Sequence, residues 1–193
     1  MDKFSKIKNS LAQIISFSEE ELLFFCNVLE VRKLKKNEFF LEEGKVCDYI
    51  GFINNGVVVY FKTTESGSEV TTDFAFDGDW ITNNQSRLNN SPSLINIKAI
   101  EKTELLVIKQ QTLSDLYINI PKTERLGRIL IEQAFLRIVQ QSIELQVFSA
   151  KERYENLLKK FPEAFHRIPL YHLANYLGIA PKSLSRIRKE LFY

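Results

Sequence analysis

Lys182, Ser185, Arg186 and Lys189 fall within eight residues at spacings of three, one and three. On a helix of about 3.6 residues per turn they share one face, cationic and rich in hydrogen-bond donors. That is the chemistry needed to read the major groove of double-stranded DNA, where a guanidinium donates as a fork to guanine O6 and N7. Arg186 is assigned that fork, with Lys182 and Ser185 on neighbouring base edges. Tyr171, His172, Ser183 and Lys189 are assigned to backbone phosphates, which set register without reading sequence. The elements that must position them are legible around them. Leu170 and Leu173 begin a short helix, and Ala174 is small enough for a second helix to pack closely against it. Gly178 stands where the turn needs positive φ, which a residue without Cβ adopts cheaply. Pro181 suits the first position of the second helix, and Leu177, Ile179, Leu184 and Ile187 form the core the two helices share. Residues 170–191 therefore predict a helix-turn-helix, the plain alternative being an ordinary helical hairpin at a domain end.

Charge divides along the same line. Residues 151–193 hold nine Lys/Arg against four Asp/Glu, a net of +5, whereas residues 1–150 hold seventeen against twenty, a net of −3. A basic segment behind an acidic body suits a nucleic-acid contact at the C-terminal end, with a steep salt dependence. At 45% hydrophobic and 26% charged, the chain lacks the bias of a disordered protein. No apolar run approaches the roughly 20 residues of a membrane span. The first residues lack the apolar stretch and cleavage site of a signal peptide. Cys26 and Cys47 have no partner spacing for a metal site or a disulfide framework. The expectation is a cytoplasmic protein with reduced thiols and no membrane partner.

Residues 4–34 read as helical, with a capping box at Ser18 and Glu21 and an apolar stripe of Leu22, Leu23, Phe25, Cys26 and Leu29. From residue 38 to 109 the period changes. Short β-branched and aromatic runs at 39–41, 49–53, 57–61, 70–74, 95–100 and 105–108 alternate with turns at Gly44, Gly56, Gly67 and Gly78. Glycines at spacings of 12, 11 and 11 indicate an antiparallel roll or sandwich of short strands. Trp80 reads as a core anchor. Helix returns after Thr112, which with Asp115 can cap a short helix ended by Pro121. Leu126, Ile129, Gln133, Leu136, Gln140, Ile143 and Val147 then alternate at three and four, a coiled-coil seam for a partner chain. Leu130, Ala134 and Ile138 lie beside it and could pack on the roll; a helix buried on both sides within a monomer is the other reading. Ser149 and Glu152 form a second capping box, opening a helix with Tyr154, Leu157, Leu158 and Phe161 inward. The domain boundary falls near residues 147–149, giving a β-roll domain with its long helix (1–147, the helix about 122–147) and a C-terminal domain (148–193).

That order of elements resembles the cyclic-AMP receptor/fumarate-nitrate regulator (Crp/Fnr) family of bacterial transcription factors over about residues 10–191. The supporting segments are Leu41-Glu42-Glu43-Gly44, Phe52-Ile53-Asn54-Asn55-Gly56, Asp77-Gly78-Asp79-Trp80, and residues 99–108 and 173–187. The resemblance implies an α+β fold, with an N-terminal antiparallel β-roll like a cyclic-nucleotide-binding domain, a long dimerisation helix and a C-terminal helix-turn-helix. It also implies a homodimer on a two-fold symmetric operator, RNA polymerase as a partner, and a switch in which occupancy of the roll reorients the recognition helices. Cyclic-nucleotide binders of the family hold phosphate and ribose with a Gly-Glu pair and an Arg. Here Thr82-Asn83 and Ser93-Leu94 stand at those positions, the neighbourhood's spare cation Arg87 is read as lying in a loop, and no Thr or Ser falls between Arg125 and Gln141 to meet an adenine. An unneutralised phosphate would be costly to bury, so cyclic AMP and GMP are excluded as expected effectors. Two cysteines do not make an iron-sulfur site, and haem would need an axial ligand in the roll, whereas His166 and His172 both lie in the C-terminal segment. No cofactor is expected. What remains is an unidentified apolar or weakly polar ligand, a protein partner or no effector, and an effector pocket is assigned to Ile81, Thr82, Asn83, Ser93, Leu94 and Gln133. Asn37 replaces a common family glycine, and the wing that follows the recognition helix is missing or minimal, a reduced winged helix. The second reading is a small-molecule or protein-partner binding module with vestigial DNA binding. Enzyme chemistry has no Ser/His/Asp, Cys/His or metal constellation to rest on, and Glu42-Glu43 adjoin a turn and read as solvated.

Overall fold

The computed structural model describes residues 2–192. Two N-terminal helices, α1 (Ser5–Ala12) and α2 (Glu19–Asn27), precede eight strands: β1 (Glu30–Leu34), β2 (Phe39–Leu41), β3 (Tyr49–Asn55), β4 (Val58–Thr63), β5 (Glu69–Ala75), β6 (Trp80–Ile81), β7 (Asn96–Ala99) and β8 (Thr103–Lys109), with α3 (Asn84–Asn89) between β6 and β7. Then come α4 (Gln110–Asn119), the long α5 (Lys122–Val147), α6 (Ala150–Lys160), α7 (Ala164–Arg167), α8 (Leu170–Tyr176) and α9 (Pro181–Phe192). The strands form two antiparallel four-stranded sheets, ordered β1-β8-β3-β6 and β2-β7-β4-β5.

Both sheets are covered on both faces, which is why their strands carry apolar runs rather than strict alternation. Between the sheets lie Phe40, Ile53, Val58, Ile81, Ile97 and Leu105. The outer face of the first sheet, through Phe52, Leu106 and Ile108, packs on Ile7, Leu11, Phe25, Leu116 and Leu126 from the flanking helices. The outer face of the second, through Val57, Val59, Phe61, Phe74 and Phe76, is continuous with the C-terminal core of Tyr154, Leu157, Leu173, Leu184 and Ile187. The roll thus sits as the middle layer of three. Among the turns, Gly56 is the one whose side-chain hydrogen is indispensable. Its φ is +123°, and a Cβ there would lie 2.4 Å from Thr103 Oγ1. Asn37 also takes a left-handed backbone, φ 69°, a conformation Asn tolerates.

Several expectations need correcting. The helical stretch at 4–34 is two helices and a strand, because residues 30–34 pair with β8. Leu23 is exposed rather than part of the α2 stripe. Helix α4 starts at Gln110 with no side-chain cap, so Thr112 lies inside it. The capping boxes at Ser18/Glu21 and Ser149/Glu152 are both formed, and Cys26 is buried as a small apolar residue. On α5, Leu126 is buried in the chain's own core. Leu130 and Ala134 do turn toward the roll side, but Ile138 is 61% exposed. The outward face from residue 131 presents Ile131, Phe135, Leu136, Ile138, Val139, Ile143 and Val147 to solvent. Among the described residues no helix is long and apolar enough to cross a membrane.

Candidate nucleic-acid interface and adjoining cleft

Helix α8 ends on Leu177 as C-cap, and Gly178 follows with φ +67°. The Gly178 N–H donates to Asn175 O at 2.9 Å and the Ile179 N–H to Ala174 O at 3.0 Å, the paired bonds of a Schellman turn that reverse the chain tightly. Pro181 then opens α9. Leu173, Ala174, Leu177, Leu184 and Ile187 are buried between the two helices and α6, with Ile179 packed against them. That burial fixes what faces out: Lys182, Ser185, Arg186 and Lys189 are all exposed, whereas Ser183 is half-buried. Ser185 Oγ donates to Pro181 O at 3.1 Å. Arg186 Nε lies 3.9 Å from Glu190 Oε1, with 77% and 54% of the two side chains exposed. A solvated pair of that kind is weak, so the guanidinium can be redirected.

Two residues assigned to phosphates lie elsewhere. His172 is 8% exposed, and its Nδ1 pairs with Thr71 Oγ1 on β5 at 2.8 Å. Burial lowers its pKa, keeping the ring neutral. Tyr171 donates its hydroxyl to Glu69 O at 2.5 Å, and Asn175 Nδ2 donates to the same carbonyl at 2.7 Å. The face of α8 is therefore spent on the roll edge. Phe74 packs on Tyr176 and Phe76 stacks on Phe161 with centroids 4.9 and 5.1 Å apart, and Gln141 donates to Thr72 O at 3.1 Å. Arg167 bridges Asp77 at 3.0 Å and Glu101 at 2.6 Å. Burial alone would raise the Asp77 pKa, but the Gly56 N–H, Arg167 and Lys6 hold it below the ordinary carboxylate range.

The six residues assigned to an effector pocket do not converge. Thr82 and Gln133 line a cleft of about 510 Å³ between α1, β6, α3, α4 and α5. Ile81 belongs to the core between the sheets, and Leu94 is 58% exposed. Asn83 caps α3 by accepting from the Ser86 N–H and donates to Ser93 Oγ at 2.8 Å, both side chains buried. Arg87 is on α3, not in a loop; it is buried and donates to Gln110 Oε1 and Asn84 Oδ1. Trp80 is only half-buried; it packs edge-on against Phe52 at 5.2 Å and also lines the cleft. Sequence reasoning passed over Arg137, which reaches the cleft from α5. Its signal was there, since it is the one charged residue between Glu132 and Glu144. Among the described residues no group of three or more His, Cys, Asp and Glu is placed to hold a metal ion.

Residues 31–119 match the family described as the cyclic nucleotide-binding domain. No curated protein matches the chain. Among solved structures, FixK2 from Bradyrhizobium japonicum is similar at 17% identity and a TM-score of 0.74, over 85% of this chain and 84% of that one. The c-di-GMP responsive global regulator CLP of Xanthomonas campestris is similar at 14% identity and a TM-score of 0.70, over 90% and 91% of the chains. Thermus thermophilus catabolite activator protein gives 21% and 0.54, over 91% and 84%. The likeness establishes the fold: a sheet-built N-terminal domain and a C-terminal helical bundle in the general Crp/Fnr-like architecture, with residues 31–119 matched to the cyclic nucleotide-binding domain family.

Proposed function

We propose that the chain is a DNA-binding transcriptional regulator of the Crp/Fnr type, acting as a homodimer with α9 as its recognition helix. The observation that carries the reading is the exposed face of α9, where Lys182, Ser185, Arg186 and Lys189 stand together on the basic end of the chain. Arg186 supplies the bidentate contact to guanine, with Lys182 and Ser185 beside it; Lys189 and Ser183 serve the backbone. The apolar outward face of α5 supplies the second requirement, a surface too large and continuous to suit a solvated helix, and pairing two such faces would present two copies of α9. The effector is not a cyclic nucleotide. Asn83 and Ser93 hydrogen-bond each other where a phosphate would need an Arg, and the buried Arg87 is already engaged by Gln110 and Asn84. The test is fluorescence anisotropy with DNA selected from random duplexes. Recovery of a two-fold symmetric site, bound with an affinity that falls steeply between 50 and 200 mM salt (roughly the range over which phosphate contacts weaken), is the expected result. Salt-independent binding, or recovery of no preferred sequence, would overturn it.

A further inference from the structure

We propose that the cleft between α1, α3, α4 and α5 binds a small organic anion, its acid group on the Arg137 guanidinium and its apolar body against Trp80. The binding stands on the chemistry of the cleft; only its regulatory consequence rests on the DNA-binding reading. At about 510 Å³ the cleft has the size of small-molecule sites, roughly 300–1,000 Å³. Trp80, Leu130 and Ala134 give it apolar walls, while Arg87 and Arg137 bring two cations against one carboxylate, Asp79.

The unmet hydrogen-bonding capacity of these walls has one sign. Trp80 Nε1 and Arg87 Nε are buried N–H groups with no partner. Arg137 is half-buried and enters no ion pair or hydrogen bond with the described residues. The two buried N–H groups lie in the walls, and Arg137 is the donor left open to the cleft, so an acceptor, and best an anion, completes the site. The carboxylates nearest Arg137 do not fill this role. Asp73 and Asp79 lie beyond ion-pair distance of it, each is occupied by a backbone N–H (of Phe74 and Phe76), and burial raises the pKa of both toward the neutral form. A phosphate or a carboxylate would satisfy the donors equally; the apolar walls require a hydrocarbon portion on either.

A ligand here would touch α3 of the roll and the middle of α5 at once, so its binding energy would act on the helix whose outer face is proposed to pair. Trp80 is the only tryptophan in the chain, which makes its emission a direct reporter. Hexanoate and hexyl phosphate would be titrated into the purified protein, with hexanol as the uncharged control and inorganic phosphate as the anion without a tail. The expected result is a saturable change with one or both tailed anions, the stronger of the two naming the acid group, and a weaker response to hexanol and to inorganic phosphate. Arg137→Gln, verified as folded by circular dichroism, should weaken the anion about tenfold or more, the value of a charge-assisted hydrogen bond, and Arg137→Lys by less. Ala134→Phe should fill the cleft and abolish the response. No saturable change with either anion, an equal response to hexanol, or an unchanged affinity in Arg137→Gln would each overturn the site. DNA affinity measured on the same samples separates the two readings, because absence of DNA binding by the wild type both with and without the tailed anions sinks the regulator assignment and leaves the anion site standing.

Discussion

Arg186 and Lys189 share the exposed face of α9 but are asked to do different chemistry. A fork on guanine discriminates among bases, whereas an ammonium on phosphate does not. Arg186→Ala should therefore cost about 1–3 kcal/mol on the preferred site and relax specificity at one base position; Lys189→Ala should weaken all sequences alike. Anisotropy against a set of single-base operator variants separates the two, and a uniform loss in Arg186→Ala would show its role to be misassigned. Gly56 gives a test of the scaffold. A Cβ there would meet both the Thr103 side chain and its Cα at 2.4–2.7 Å on a backbone with φ +123°. Strain and overpacking together predict a loss of about 2–5 kcal/mol for Gly56→Ala in urea unfolding. Gly178→Ala, with nothing closer than 3.6 Å, should cost only about 1–2 kcal/mol for the left-handed backbone.

At the scale of elements, the contact between α8 and β5 decides how free the C-terminal helices are. His172 is central to it, with Thr71 bonded to its ring, Glu69 and Lys98 as the charged groups facing it, and burial keeping it neutral. An imidazole whose pKa is lowered in the docked state binds fewer protons there than when released. Docking is then at full strength above the ordinary value of about 6.5 and weakens as pH falls through it toward the lowered value. The chain should unfold or release its C-terminal helices more readily at pH 5.5 than at pH 7.5 (roughly one unit either side of that ordinary value), and His172→Gln should flatten that dependence; hydrogen exchange in α8 would register it. A dependence unchanged by the substitution would show that His172 is not the group that titrates. None of this docking was legible in the sequence, because Tyr171 and His172 look the same whether their partner is a phosphate or the edge of a strand a hundred residues away. What was legible rested on local rules: two capping boxes, the turn glycines, the Schellman glycine and the apolar spacing of α9. β1 was misread because Glu30, Arg32 and Lys33 mask its alternation. It is an edge strand, where charges are at home, and only its pairing with β8 reveals it.

For the whole molecule, the question is which face of α5 meets a second copy. The heptad reading through Leu126, Gln133, Gln140 and Val147 is centred roughly a quarter turn from Phe135 and Val139, and from Gln133 onward its residues are left bare as well. The periodicity of apolar residues does not say which of two adjoining apolar arcs the roll has taken. Here the roll takes Leu126, Leu130 and Ala134, and leaves an arc centred on Phe135 and Val139, which are 63% and 38% exposed. Ser142 and Gln146 continue that line at coiled-coil spacing. A charge at its centre should then prevent association without touching the fold. Phe135→Glu and Val139→Glu are each expected to sediment as folded monomers and to lose most of their affinity for a symmetric operator, since one recognition helix must bind alone. Gln140→Ala, on the arc read from periodicity, should remain dimeric. Leu126→Glu would instead lower stability by several kcal/mol, a charge forced into a closed core. If Phe135→Glu stays dimeric while Gln140→Ala comes apart, the pairing face is the one read from the heptads, whose Leu136, Gln140, Ile143 and Val147 are exposed as well.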